Sequence, residues 1–276
     1  MKKKLVLAAI IIFAYALSGW AAPNRVYTFG IGPAQSSMEL AKRWVPIIRY
    51  VATATGYNLQ FRTAKDIPTF QAEMMAGTFD FAFVNPYLYL QCHKAAGYDA
   101  FSREKNGALV GIMVTRKDSP YENLAQLAGL TVAFPAANAL AATWLPMNAV
   151  RDKHIDLKPQ YVNSIDSVYL SVAKGLFPAG GGEMRTFNTL PPETRNQLKI
   201  IWRAEPLPPF TFVAHQRVPK DVVEKIQAAM DRMDDNSEAM ALLKMVNFAG
   251  IEKAADADYD VVRKMNITPP SLQLKN

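Results

Sequence analysis

The sequence predicts an α/β fold of two lobes, each a mixed, mainly parallel sheet flanked by helices, with a ligand cleft between the lobes. Three observations carry this. Stretches of strand-like character alternate with stretches whose apolar residues recur at helical spacing. Half of the 276 residues are apolar and a fifth are charged, enough for a substantial core in one or two domains. Two segments, 109–117 and 204–212, read as connectors, the second stiffened by Pro206, Pro208 and Pro209. The chain then leaves one lobe, builds another and returns. The expected division is a leader at 1–21, a first lobe of 22–112 with 207–276, and a second lobe of 113–206.

The leader is "MKKKLVLAAIIIFAYALSGWA". Three lysines precede an apolar run from Leu5 to Leu17, and small residues follow, in the order of a secretory signal. Gly19 in the −3 position places cleavage after Ala21. The run is shorter than the ~20 residues of a membrane span, and no cysteine stands at the cleavage site to carry a lipid. The mature chain is therefore expected to be exported to the periplasm as a soluble monomer. Cleavage removes Lys2, Lys3 and Lys4 and no acid, lowering the formal charge from +7 to +4. That mild balance is compatible with a small anionic ligand. No run of lysine and arginine is dense enough for a nucleic-acid partner.

The elements follow in order. "RVYTFGIG" (25–32) alternates and ends in glycines, as a strand entering a turn. Ser36 and Glu39 form a capping box for a helix whose core face is Leu40, Trp44, Ile47, Ile48 and Val51, closed by Gly56. "NLQFRTA" is a strand. Asp66 caps a helix through Met75 that Gly77 ends. "FDFAFVN" is a third strand, and Pro86 starts the next helix. "ALVGIMVTRK" (108–117) is too apolar for an edge strand. A short helix, a strand at 130–134 and a helix to about Lys153 come next, then the strand "KPQYVNS" and the helix "DSVYLSVAKGL". In "FPAGGGEM" a strand is due, but Pro178 and three glycines make a poor one. "LKIIWRAE" and "PLPPFTFVAH" are strands. Three helical segments follow from Pro219, and the tail "ITPPSLQLKN" reads as loose.

Catalytic chemistry finds little support. His93, His154 and His215 are dispersed without metal-ligand spacing. There is no Gly-x-Ser-x-Gly and no phosphate-binding Gly-rich loop with Lys-Ser/Thr, so neither a catalytic residue nor a cofactor or metal is expected. The single cysteine, Cys92, leaves no internal disulfide. It reads either as a small buried hydrophobe or, beside His93, as a ligand for a soft oxyanion such as arsenite.

Three segments read together resemble a family. They are "RW-x-P" at 43–46, "GTFDFAFVNP" at 77–86 and "LAGLTVAF" at 127–134. The order over residues 25–250 is similar to that of the periplasmic phosphonate-binding proteins of ABC importers. That group also includes phosphite-type and other oxyanion binders and some sensor partners. The resemblance implies a type 2 periplasmic binding fold, ligand capture between the lobes, no catalysis, and delivery to a membrane ABC permease or presentation to a sensor kinase.

In such sheets the ligand sits beyond the C-terminal strand ends, where helix N-termini offer free N–H groups to an anion. The candidate ligand residues are Gln35 and Ser36, Asn85 and Tyr87, then Asn138, Ala139, Leu140 and Ala141, with Arg185 as a partner for a carboxylate or oxyanion. Ser36 and Asn85 read equally as helix caps, Tyr87 as core, and Arg185 as a solvated surface group. The resemblance also implies hydroxyl side chains at 138–141, an aromatic after Asp66 and acidic groups for aminophosphonates. This chain has Asn-Ala-Leu-Ala, Ile67 and "GGGEMRTF" instead. The expected ligand is a small anion, either a phosphonate- or phosphite-like oxyanion or an organic acid, held by backbone N–H groups against an apolar wall for which Phe134, Leu140, Trp144, Phe210, Phe212 and Tyr87 are candidates; most of the aromatics read equally as core, and core is the favoured reading of Phe210 and Phe212 in strand alternation.

Overall fold

The structure is a computed structural model in which residues 25–265 are described; the leader and the tail lie outside them. Within the described residues no helix is long and apolar enough to cross a membrane. The first part runs β1 (Val26–Ile31), α1 (Ser37–Thr55), β2 (Asn58–Arg62), α2 (Ile67–Met75), β3 (Phe81–Val84), α3 (Pro86–Ala96) and β4 (Tyr98–Glu104). The middle part begins with β5 (Gly111–Arg116), a 3-10 turn (Leu124–Leu127) and β6 (Thr131–Phe134). A π-helical turn (Leu140–Trp144) then runs straight into α4 (Leu145–Asp152). It continues with β7 (Lys158–Tyr161), α5 (Ile165–Ala173), β8 (Ala179–Glu183), α6 (Met184–Asn188), α7 (Pro192–Arg195) and β9 (Leu198–Arg203). The last part holds β10 (Thr211–His215), α8 (Lys220–Asp231), α9 (Ser237–Lys244), β11 (Ile251–Lys253) and α10 (Asp260–Lys264).

These strands form two sheets, ordered β11-β4-β10-β3-β1-β2 and β7-β6-β8-β5-β9. Both are mixed. Parallel pairing is confined to β2-β1-β3 in the first and β7-β6-β8 in the second. The pairings of β10, β11 and β5 are antiparallel, so the sheets are less dominated by parallel pairing than the alternation of elements predicts. The reason is the chain path. β5 leaves the first sheet to open the second, and β10 returns from the second to the middle of the first. At that double crossing Leu109 and Leu207 exchange two backbone hydrogen bonds of 2.9 Å. The strand partners put Gly111 and Ile112 with the second sheet.

The cores follow from alternation along the buried strands. In β3, Phe81 and Phe83 face one side with Trp44 and Phe212, while Ala82 and Val84 face the other with Phe70, Phe79, Tyr89 and Cys92. Phe83 and Phe212 lie 4.7 Å apart between ring centroids, and Trp44 and Phe83 5.0 Å. Such pairs contribute about 0.5–1.5 kcal/mol each beyond the area they bury. The caps fall where the sequence predicts, but the Ser36–Glu39 box is half formed, with the Glu39 carboxylate paired to Arg43. Ser36, Asp66 and Asn85 each accept from the N–H three residues on. "FPAGGGEM" is corrected: it holds β8, a central strand with every residue buried.

Candidate functional site

The C-terminal ends of β1, β3, β6 and β8 face one another across the space between the sheets, and the loops there open into helices. A cavity of about 570 Å³, part of it open to solvent, lies among Gly32, Pro33, Ala34, Ile67, Phe70, Gln71, Asn85, Leu88, Leu109, Ala139–Ala142, Glu183 and Phe210. A second chamber of about 470 Å³ adjoins it. The two share Gly32, Ala34, Phe83, Glu183 and Phe210, and the second adds Gln35, Arg43, Trp44, Arg185, Thr186 and Thr189.

The turn after β6 shapes the first chamber. Thr143 donates through its hydroxyl to Ala136 O at 2.8 Å, and the Trp144 indole N–H donates to Ala137 O at 2.6 Å. The Thr143 and Trp144 amides both donate to Ala139 O, and the widened turn then becomes α4. Among the described residues, no acceptor takes the amides of Leu140, Ala141 or Ala142. This is the ordinary state of a helix start, whose first N–H groups lack intrahelical partners. Here they stand beside a cavity walled by Ile67, Phe70, Leu88, Leu109 and Phe210, where low polarity strengthens any bond they make to an anion. Glycines let the turn seat this deeply. A Cβ on Gly111 would stand 2.4 Å from Ala141 O, and one on Gly181 2.1 Å from Ala142 O.

The candidate residues divide by position. Asn85, Ala139, Leu140 and Ala141 line the first chamber. Gln35 and Arg185 line the second. Ser36 is exposed and caps α1. Tyr87 lines neither chamber; its ring meets Trp144 edge-on at 4.6 Å. The Asn138 side chain is engaged by Gln71 of α2, which also donates to Asn138 O at 3.1 Å. Of the expected apolar wall, Leu140 and Phe210 line the cavity, whereas Phe134, Trp144 and Phe212 are packed in the cores. Cys92, on the inward face of α3, is fully buried, lines neither chamber, and has its thiol pushed up to about 12 by burial. Its surroundings favour the buried-hydrophobe reading over a thiolate ligand.

Charged groups gather where the chambers meet. Glu183 is buried, and its carboxylate accepts from the Thr186 hydroxyl at 2.9 Å. The Arg185 guanidinium lies 4.0 Å from the Phe210 ring centroid and 5.2 Å from that of Phe83. Burial raises the pKa of Glu104; Arg185 opposes that shift and Glu183 adds to it. Asp166 of α5 faces the start of α1, where Gln35 donates to it at 3.5 Å, and burial raises its pKa. Gln71 was not picked out by sequence reasoning, because a lone glutamine inside a helix gives no pattern to find.

The family described as "ABC transporter, phosphonate, periplasmic substrate-binding protein" matches residues 29–259. A phosphate-import protein from Mycolicibacterium smegmatis is 24% identical, over 93% of this chain and 92% of that protein. The fold matches a binding protein component of an ABC phosphonate transporter from Pseudomonas aeruginosa, with a TM-score of 0.76 and 19% identity over 91% of this chain and 93% of that one. It also matches PhnD1 from Prochlorococcus marinus in complex with methylphosphonate, with a TM-score of 0.77 and 15% identity over 87% of this chain and 96% of that one.

Proposed function

The chain belongs to the family of periplasmic substrate-binding proteins of phosphonate ABC transporters, and from that premise we propose that it captures a small phosphonate-type oxyanion bearing a short apolar group and hands it to a membrane permease. Members of this family are transport components rather than enzymes, and work in the periplasm. The observation that carries the reading is the set of unpaired amides at Leu140, Ala141 and Ala142 beside a mostly apolar cavity whose polar lining is Gln71, Asn85 and Glu183. They supply donors and a partial positive end to an anion. The apolar walls take up whatever replaces one oxygen of phosphate. Fully hydrated phosphate suits the site less well, because each buried oxygen left without a donor costs about 1–3 kcal/mol. Phosphite and small organic acids meet the same donors with fewer polar atoms to satisfy.

The two sheets then act as lobes. We read residues to about 110 with those from 207 as one lobe, and the chain between as the other, hinged where Leu109 pairs with Leu207. A ligand that touches both lobes biases the hinge toward closure. Calorimetric titration with methylphosphonate, phosphite, phosphate and acetate checks the reading. Methylphosphonate or phosphite is expected to bind more tightly than phosphate, and Ala141→Asp, which places a carboxylate at the amides, to abolish binding. An absence of heat from every one of these anions counts against the proposal.

A further inference from the structure

The proposed oxyanion site leaves the second chamber unexplained, and that chamber contains a cation. Arg185 is half-buried, with its guanidinium laid over Phe210 and near Phe83. Among the described residues its side chain has no ion-pair partner and donates no hydrogen bond to a protein acceptor. Stacking occupies the faces of a guanidinium and leaves its N–H edges free, the arrangement that receives a carboxylate in bidentate fashion. Arg43, which lines the same chamber, is by contrast committed. It donates to Met245 O at 2.8 Å and Thr189 O at 3.0 Å and is paired with Glu39. The chamber adjoins the first, sharing Phe83, Phe210 and Glu183 as walls, so a molecule reaching past those side chains from the amides at 140–142 would meet Arg185.

We propose that the second chamber is a distal subsite in which Arg185 binds a carboxylate, so that the cleft prefers short bifunctional acids carrying an oxyanion at one end and a carboxylate at the other. This rests on the oxyanion reading of the first chamber. Glu183, an acidic group that lines both chambers, disfavours negative charge where they meet, so the linker between the two acids is neutral. The Thr186 hydroxyl is already given to Glu183.

The test compares pairs that differ only in the distal group. Calorimetric affinities are measured for phosphonoacetate against ethylphosphonate, 3-phosphonopropionate against propylphosphonate and 4-phosphonobutyrate against butylphosphonate. In the wild type at least one carboxylate is expected to bind ten-fold or more tightly than its partner, with a clear optimum of chain length. Arg185→Met brings that ratio close to one, and Arg185→Lys, which keeps the charge and loses the fork, restores part of it. Thermal unfolding of each variant confirms a folded protein. Ratios near or below one in the wild type overturn the inference while leaving the oxyanion site standing, as does a ratio that survives Arg185→Met. No binding by any of the six overturns both.

Discussion

At Ala141 the proposed anion contact falls to the backbone amide, because the side chain has no hydroxyl. Adding a hydroxyl is therefore a test of the chamber. Ala139→Ser and Ala141→Ser both line the cavity, and each is expected to tighten phosphonate binding by about 0.5–1.5 kcal/mol, the net yield of one hydrogen bond, measured by calorimetry. A second residue-scale prediction concerns Asp80, whose carboxylate lies at the far end of β1. Burial raises its pKa. The Thr28 N–H at 2.9 Å, Arg217 at 2.8 Å and the Thr28 hydroxyl at 3.1 Å outweigh that and hold it below the ordinary carboxylate range. A depressed folded-state value contributes stability above the unfolded value near 4, and the contribution fades as pH falls through the folded value. Asp80→Asn should cost about 1–3 kcal/mol in denaturant melts at pH 7, kept modest because Arg25 and Arg217 are partly solvated. The deficit should shrink below about pH 4. Cys92, buried with its thiol pushed up to about 12, should react with a disulfide reagent at pH 8 only after unfolding. Rapid labelling of the native protein would contradict its placement.

Among the elements, α1 was legible apart from the missing half of its capping box, and β8 was not. The Ser36 cap, the core face from Leu40 to Val51 and the Gly56 stop, at φ 74°, are all written in residue type and spacing. β8 is Ala-Gly-Gly-Gly-Glu, which lacks strand propensity because its sequence answers to close neighbours. A Cβ on Gly180 would stand 2.3 Å from Val168 Cγ1, and one on Gly182 2.1 Å from Tyr169 Oη. Propensity reports what a residue does alone, and here packing overrides it. β4 and β11 escaped for another reason. "YDAFSRE" mixes polar residues with few apolar ones, and "IEK" is three residues long, so both depend on antiparallel partners distant in sequence. Gly181→Ala should force the 140–142 turn away from β8, with a loss of about 1–3 kcal/mol for overpacking and weaker phosphonate binding in the same preparation. An unchanged melt would count against so tight a seat.

On the scale of the whole molecule, contacts cross from one sheet to the other on all sides of the cavity. The Ile165 N–H donates to Ala34 O at 3.2 Å, Gln71 holds Asn138, Tyr87 meets Trp144, and Arg43 reaches Thr189 O. The cleft was foreseeable from the two connectors and the order of strands. Which side chains would face it was not, since Tyr87 and Asn138 are taken up by Trp144 and Gln71, Ser36 caps α1, and the amides beside the cavity belong to residues without polar side chains. Gln71→Ala and Asn138→Ala should each speed ligand dissociation, and the double variant should add little more, as expected of partners in one interaction. The amides themselves are the proposed anion contacts. In a nitrogen-15 NMR titration with methylphosphonate, the amide resonances of Leu140, Ala141 and Ala142 should move downfield together and saturate with the binding isotherm. Saturable binding that leaves those three resonances in place would contradict that role.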